Sequence, residues 1–144
     1  TLHGNPVCVA AGLAVIEVIC TANLAAEAAR KGDWLMARLR DLTQRHTAIG
    51  DVRGRGLAIG VEIVKNQTRR TPDRQAAANL VFCAHELGLV LYYVGMESNV
   101  LELTPPLTIT QDELEQALDI LDHALSDLAD GKIGLDIASG FTGW

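Results

Sequence analysis

Thr1-Leu2-His3-Gly4-Asn5-Pro6 is the one stretch of this chain whose residue types and spacing have the mechanics of a ligand seat. A hydroxyl precedes Gly-Asn-Pro, a helix-start signal with Asn5 as the expected N-cap and Pro6 at the first helical position. Backbone N–H groups at a helix N-terminus attract anions, so a hydroxyl placed beside them makes a workable phosphate seat. The plainer reading of the same residues is a capped helix and nothing more. The familiar catalytic signatures are missing: no Gly-x-Gly-x-x-Gly follows a strand, and there is no Walker loop. His3, His46, His85 and His123 lie far apart without His-x-x-x-His or Cys-x-x-Cys spacing, so no metal site is expected.

Other polar clusters read as structure. Arg53-Gly54-Arg55-Gly56 is a weak hint of RNA contact, but in a chain of net charge −6 these are expected to be turn and ion-pair residues. No nucleic-acid partner is expected. Asp112, Glu113, Glu115, Asp119, Asp122 and Asp127 form a solvated helix face, with an acidic first turn suited to the helix dipole. Cys8, Cys20 and Cys83 are odd in number and sit in helical patterns, so they read as reduced, buried thiols of a cytoplasmic protein. Cys8 and Cys20 stand about 120° apart around an ideal helix and read as core residues, not a dithiol. Tyr92, Tyr93 and Met96 near a turn read as core or interface residues, with pocket lining as the alternative.

The elements that must position these groups follow from hydrophobic patterning. The 144 residues are 49% hydrophobic and 21% charged, enough for one packed domain or a piece of a larger one. No run of about 18 apolar residues occurs, and no membrane partner is expected. Val7 to Cys20 predicts a helix apolar on nearly every face, buried or at an interface, with Gly12 marking a close backbone approach. Leu24 to His46 is amphipathic: Leu24, Ala28, Leu35, Leu39 and Leu42 face inward, while Arg30, Lys31, Arg38, Arg40 and Arg45 keep the outer face wet. Residues 49–56 read as turn, short strand and turn, Leu57 to Val64 as a strand, and Lys65 to Pro72 as a polar loop. A helix over Asp73 to Leu87 ends at Gly88 as C-cap. Strands follow at Leu89 to Tyr93 and Val100 to Leu103, joined by a turn over Gly95 to Asn99. Thr110 and Glu113 form a capping box on a last helix reaching Ala129. Short, mostly antiparallel strands with helices on one face make a two-layer α+β domain. The expected division is residues 1–22 as a leading helix, 23–130 as the domain and 131–144 as a tail. With neither initiator Met nor signal peptide, the chain reads as a fragment of a larger enzyme.

Three segments in register resemble one family. Thr1-Leu-His-Gly-Asn-Pro-Val, then Ala10-Ala11-Gly12-Leu13-Ala14, is similar to the T-x-x-G-N-P-x-x-x-A-A-x-x-A segment of class III aminotransferases, pyridoxal-phosphate (PLP) enzymes of fold type I. Asp51-Val-Arg-Gly-Arg-Gly-Leu57 with Glu62-Ile-Val resembles their D-V-R-G-x-G-L and E-I/L-V strand pair. Asn99-Val-Leu101 with Pro105-Pro-Leu-Thr-Ile-Thr110 resembles their N-x-L-x-x-x-P-P-L-T-I-T segment. The likeness runs over about residues 1 to 130.

The resemblance implies the small C-terminal domain of such an enzyme, plus the helix entering it from the large domain. It implies Thr1, Gly4 and Asn5 as residues toward the cofactor phosphate, with Thr1 reaching the neighbouring subunit of a homodimer. It also implies exchange of an amino group between an amine or omega-amino acid and a keto acid. Two departures bear on this. The family's Schiff-base lysine and the aspartate on the cofactor ring have no counterpart here: Lys31, Lys65 and Lys132 occupy polar positions without an evident desolvating pocket. No catalytic residue is therefore assigned in this chain, which is expected to be inactive alone. Glu102 stands where many relatives with carboxylate substrates carry an arginine, and no arginine follows Arg74. A glutamate repels a substrate carboxylate and attracts an ammonium, so Glu102 is a candidate substrate-binding residue for a cationic or neutral substrate end. The alternative has Glu102 turned away or paired outside this chain. Two further readings stand beside the aminotransferase: an amino-acid racemase or epimerase of the same family, and a non-catalytic module that dimerises or binds through its first helix.

Overall fold

The computed structural model describes residues 3–133, so Thr1 and the tail residues Phe141 and Trp144 lie outside the described residues. Four helices and five strands follow in the order α1 (Pro6–Thr21), α2 (Leu24–Arg45), β1 (Ile49–Arg55), β2 (Ala58–Asn66), β3 (Thr71–Pro72), α3 (Arg74–Glu86), β4 (Tyr92–Val94), β5 (Val100–Leu103) and α4 (Gln111–Ala129). The sheet runs β1-β2-β5-β4 with every pairing antiparallel, and β3 adds to the edge of β2. This is the α+β architecture expected from the strand pattern. Alternate residues Ile59, Val61 and Ile63 of β2 and Leu101 of β5 are buried with Leu35, Leu39, Leu80 and Leu121 from α2, α3 and α4. The helices thus cover one sheet face and leave the other open.

Three strands depart from the expected spans. Strand β4 covers only Tyr92–Val94, not the expected Leu89 to Tyr93. Residues 49–55 form one continuous strand, not a turn with a short strand, and its glycines have a packing cause. A Cβ on Gly54 would meet the Ala58 carbonyl oxygen at 2.3 Å across the hairpin. Gly56 takes φ +55 in the two-residue turn joining Arg55 to Ala58. The expected loop over residues 65–72 contains β3. Asn66 Oδ1 accepts the amides of Thr68 and Arg69, folding the chain back so that Thr71 pairs with Asn66. A strand holding proline at an edge carries no pattern signal.

Helix α1 contradicts part of the expectation. None of its residues is buried in this chain: Val7 is 77% and Leu13 63% exposed, and it packs only on α2. Cys8 and Cys20, expected as core thiols, are exposed for the same reason. Cys83 is half-buried, and burial pushes its thiol pKa up. Gly12 meets nothing within 4 Å. The close approach occurs instead at Gly32 of α2, where an added Cβ would lie 2.1 Å from the carbonyl oxygen of Gly56. The hairpin turn therefore seats directly on the α2 backbone.

Lys31 on α2 departs from the expected wet face. It is buried, not on the wet face, and its Nζ donates to the carbonyls of Leu107 and Ile109 at 3.4 and 2.5 Å. Three residues after Ala28 and four before Leu35, it sits on the inward stripe by helical period. Its ammonium ties α2 to the loop between β5 and α4. That loop ends in the expected capping box: Thr110 Oγ1 accepts the Glu113 amide, and Glu113 accepts the Thr110 amide. Thr110→Ala is expected to lower the unfolding free energy by about 1 kcal/mol, read from urea unfolding of the chain. At the far end of α3, Leu87 is the C-cap and Gly88 follows with φ +95, one residue past the position expected for it.

Candidate functional site

The turn before α1 is built by Asn5. Its Oδ1 accepts the amides of Val7 at 3.0 Å and Cys8 at 3.4 Å, while its carbonyl accepts that of Val9. Pro6 has no N–H to offer. The first-turn amides are thus already engaged, and the free helix-terminus phosphate seat expected from the sequence is not formed. What remains for an anion is the turn itself. Gly4 has φ +74 with nothing within 4 Å of where a Cβ would stand, so its backbone is open to close approach. An open backbone N–H is donor chemistry that fits a phosphate, so Gly4 fits the cofactor that the resemblance implies, while Thr1 lies outside the described residues.

Glu102 lies at the centre of the open sheet face. Its Cα partners are Gly60 on β2 and Tyr92 on β4, and Gly60 is opposite Arg53 on β1. Arg53, the cation of this row, is already taken by Asp51 at 3.0 Å and Glu62 at 2.7 Å, so the pair expected of the Arg-Gly-Arg-Gly segment is an internal ion pair. Those carboxylates hold the Arg53 guanidinium pKa above its ordinary value. Gly60 places no side chain between Arg53 and Glu102. Half-buried Glu102 thus forms no hydrogen bond or ion pair among the described residues. Helix α1 touches no strand, so the structure does not bring Gly4 and Asn5 together with Glu102.

Where β5 ends and β4 begins, a cavity of about 330 Å³ has Glu102 and Tyr92 in its lining. Tyr93 packs against the core, while Met96 is fully exposed at the turn, so of these three only Tyr92 lines the cavity. The strand that carries Glu102 is pinned at its start by Asn99, a buried residue whose Nδ2 donates to the Ile63 carbonyl at 2.8 Å. Its far end leads into the loop held by Lys31. The two groups that fix this strand, Asn99 and Lys31, were not legible as such in the sequence.

Lys31 is held by two carbonyls, Lys65 is exposed at the end of β2, and Lys132 pairs with Asp127 and Asp130. The Asp130 and Asp127 carboxylates raise the Lys132 pKa and keep it charged. Among the described residues no group of three or more His, Cys, Asp or Glu could hold a metal ion. No single helix among them is long and apolar enough to cross a membrane.

The acidic face of α4 is exposed at Asp112, Glu113, Glu115 and Asp119, as expected, but Asp122 and Asp127 are engaged. Asp122 accepts from His46 Nε2 at 2.5 Å and from Arg45 at 2.7 Å, joining the end of α2 to α4. Burial raises the Asp122 pKa, but the hydrogen bonds from His46 and Arg45 and their charge outweigh it, leaving the value below the ordinary one. A depressed carboxylate contributes stability that is present above its unfolded pKa and lost as pH falls through its folded pKa. The stability gap between wild type and Asp122→Asn is therefore expected to be present above the ordinary carboxylate range and to close as pH falls through the lowered Asp122 value, read from urea unfolding.

Residues 1–125 match the family model of class III aminotransferases. The alanine/serine racemase of Pyrococcus horikoshii is 44% identical over 92% of this chain and 28% of its own length. The leucine/methionine racemase of Thermococcus litoralis is 40% identical over all of this chain and 32% of its own. An amine transaminase from an uncultivated Pseudomonas species, solved in its PLP-bound form, superposes with a TM-score of 0.80 at 32% identity, covering 88% of this chain and 28% of that one. The chain thus spans about a third or less of each of these relatives.

Proposed function

This chain belongs to the class III aminotransferases, and from that premise we propose that it is the small domain of a PLP enzyme working at the amino-bearing carbon of its substrate. The observation that carries this reading is Glu102, a carboxylate without a partner among the described residues, on the open face of a strand braced at both ends. Such a group accepts an ammonium and repels a carboxylate. In the intact enzyme the cofactor, once bound, draws electrons from the substrate carbon and loosens its bonds to hydrogen. Thr1, Gly4 and Asn5 hold its phosphate from the neighbouring subunit, and the reactive lysine comes from outside these 144 residues. The full-length protein is a homodimer, a reading supported by the uncovered apolar face of α1 and checked by sedimentation; its cytoplasmic location is a reading supported by three free cysteines.

Two reactions share this chemistry. Racemisation or epimerisation of an amino acid is favoured by the 44% and 40% identities to racemases. Amino transfer from an amine or omega-amino acid to a keto acid is favoured by the family model and the PLP-bound transaminase. Keto-acid dependence separates them. The full-length protein is incubated in D2O with one L-amino acid, with and without pyruvate. Formation of the D-enantiomer carrying deuterium at Cα without pyruvate is the expected result. Product only with pyruvate makes it an aminotransferase, and no product in either arm across amino acids and amines overturns the reading.

A further inference from the structure

Strand register sets four residues in one row across the open sheet face: Arg53 on β1, Gly60 on β2, Glu102 on β5 and Tyr92 on β4. Tyr92 belongs to that face because its neighbour Tyr93 packs against the core and successive strand residues alternate. It is 67% exposed, and its hydroxyl makes no hydrogen bond among the described residues. Directly opposed residues of an antiparallel pair have Cβ atoms about 5 Å apart, so the Tyr92 ring rises beside the Glu102 carboxylate. On the other side of Glu102, Gly60 adds no side chain, and Arg53 beyond it is bound to Asp51 and Glu62. The next row sets Val100 opposite Val94. A carboxylate without a partner among the described residues thus stands beside an exposed aromatic ring, with apolar side chains along one flank.

We propose that Tyr92 is a specificity-determining residue of this face and that it selects, with Glu102, a substrate whose far end is a guanidinium. The inference rests on the reading of Glu102 as facing the substrate's cationic end, and goes past it by adding a second residue and naming the cation. A guanidinium is planar. Its edge is a fork of N–H donors that matches a carboxylate, and its face stacks on an aromatic ring. Side by side on one sheet face, Glu102 and Tyr92 are met by such a ligand at once, edge to the carboxylate and face to the ring. An ammonium is compact and strongly hydrated; it pairs with Glu102 but offers no flat face to Tyr92. A carboxylate end meets like charge at Glu102 and the negative face of the ring at Tyr92. The substrate class is therefore an amino compound with a guanidinium at the end of an aliphatic chain.

The test uses the full-length, cofactor-loaded enzyme and two probes of one shape, butylguanidinium and its uncharged isostere butylurea. Neither carries an alkylamine to condense with the cofactor aldehyde. Calorimetry reads the ratio of their affinities. In the wild type butylguanidinium is expected to bind about tenfold tighter, a charge-assisted hydrogen bond reduced by solvent at half-buried Glu102. Tyr92→Leu is expected to shrink that ratio about threefold, the size of an exposed cation–π contact, while Tyr92→Phe keeps the ring and leaves the ratio unchanged. Both substitutions fall at an exposed position, where effects on folding are small. A ratio unchanged in Tyr92→Leu, or one lost equally in Tyr92→Phe, would overturn the role of the ring. Butyltrimethylammonium binding more tightly than butylguanidinium would overturn the choice of cation. Glu102→Gln separates the two levels. If it abolishes the ratio while Tyr92→Leu does nothing, the Tyr92 assignment alone fails; if it leaves the ratio intact, the reading of Glu102 beneath it fails.

Discussion

Gly32→Ala is expected to cost the chain most of its stability. The added methyl would lie 2.1 Å from the Gly56 carbonyl oxygen, 2.3 Å from its carbon and 2.5 Å from its Cα. All three are backbone atoms, so no side chain can swing aside. The turn itself is constrained, because Gly56 holds φ +55 between paired strands. Relief requires α2 to lift from the hairpin, which separates Leu35 and Leu39 from Ile59 and Val61 in the shared core. Overpacking that moves backbone belongs to the severe end of single substitutions, about 4 kcal/mol or more out of the 5–15 typical of a domain. Gly12→Ala is the matched control. Nothing lies within 4 Å there, so alanine is expected to be neutral or to stabilise α1 by up to about 1 kcal/mol. Near-UV circular dichroism and urea unfolding of both variants read the contrast; a Gly32→Ala protein within about 1 kcal/mol of wild type would refute the packing described.

The second large effect concerns charge at position 102. Glu102→Arg in the full-length enzyme replaces a group that attracts ammonium by one that grips carboxylate with two parallel hydrogen bonds. Each such interaction is worth about 1.5–3 kcal/mol, and the half-exposed setting reduces it through solvent screening. The ratio of affinity for 4-aminobutyrate to that for a diamine, read as inhibition constants whichever of the two reactions the enzyme catalyses, is expected to rise about a hundredfold. The sign matters more than the size. An enzyme that already prefers 4-aminobutyrate to diamines, and in which Glu102→Ala changes neither, does not use Glu102 toward its substrate.

Periodicity made most of the fold legible before the structure. The capping box at Thr110 and Glu113, the inward stripe of α2 and the β-branched run of β2 each announce themselves over neighbouring residues. What stayed hidden depends on contacts between segments far apart in the chain. Gly12 and Gly32 look alike in sequence, as glycines inside helices, and only the seating of the hairpin turn tells them apart. Lys31 was assigned by its charge when its helical phase pointed inward; the carbonyls that satisfy it come from residues 107 and 109. His46 and Asp122 are 76 residues apart, beyond the reach of any local pattern. Of the candidate site, Glu102 was visible as a departure from a motif. That Arg53 is consumed by Asp51 and Glu62, leaving Glu102 without a partner among the described residues, required the strand register.

The central claim is that these 144 residues belong to a PLP enzyme and take part in its site without holding the lysine that binds the cofactor. Borohydride reduction of the full-length protein, followed by proteolysis and mass spectrometry, fixes the cofactor to whichever lysine carries it. The pyridoxyl group is expected on one lysine outside this chain. Finding it on Lys31, Lys65 or Lys132, or on no lysine of a protein loaded with PLP, would contradict the account.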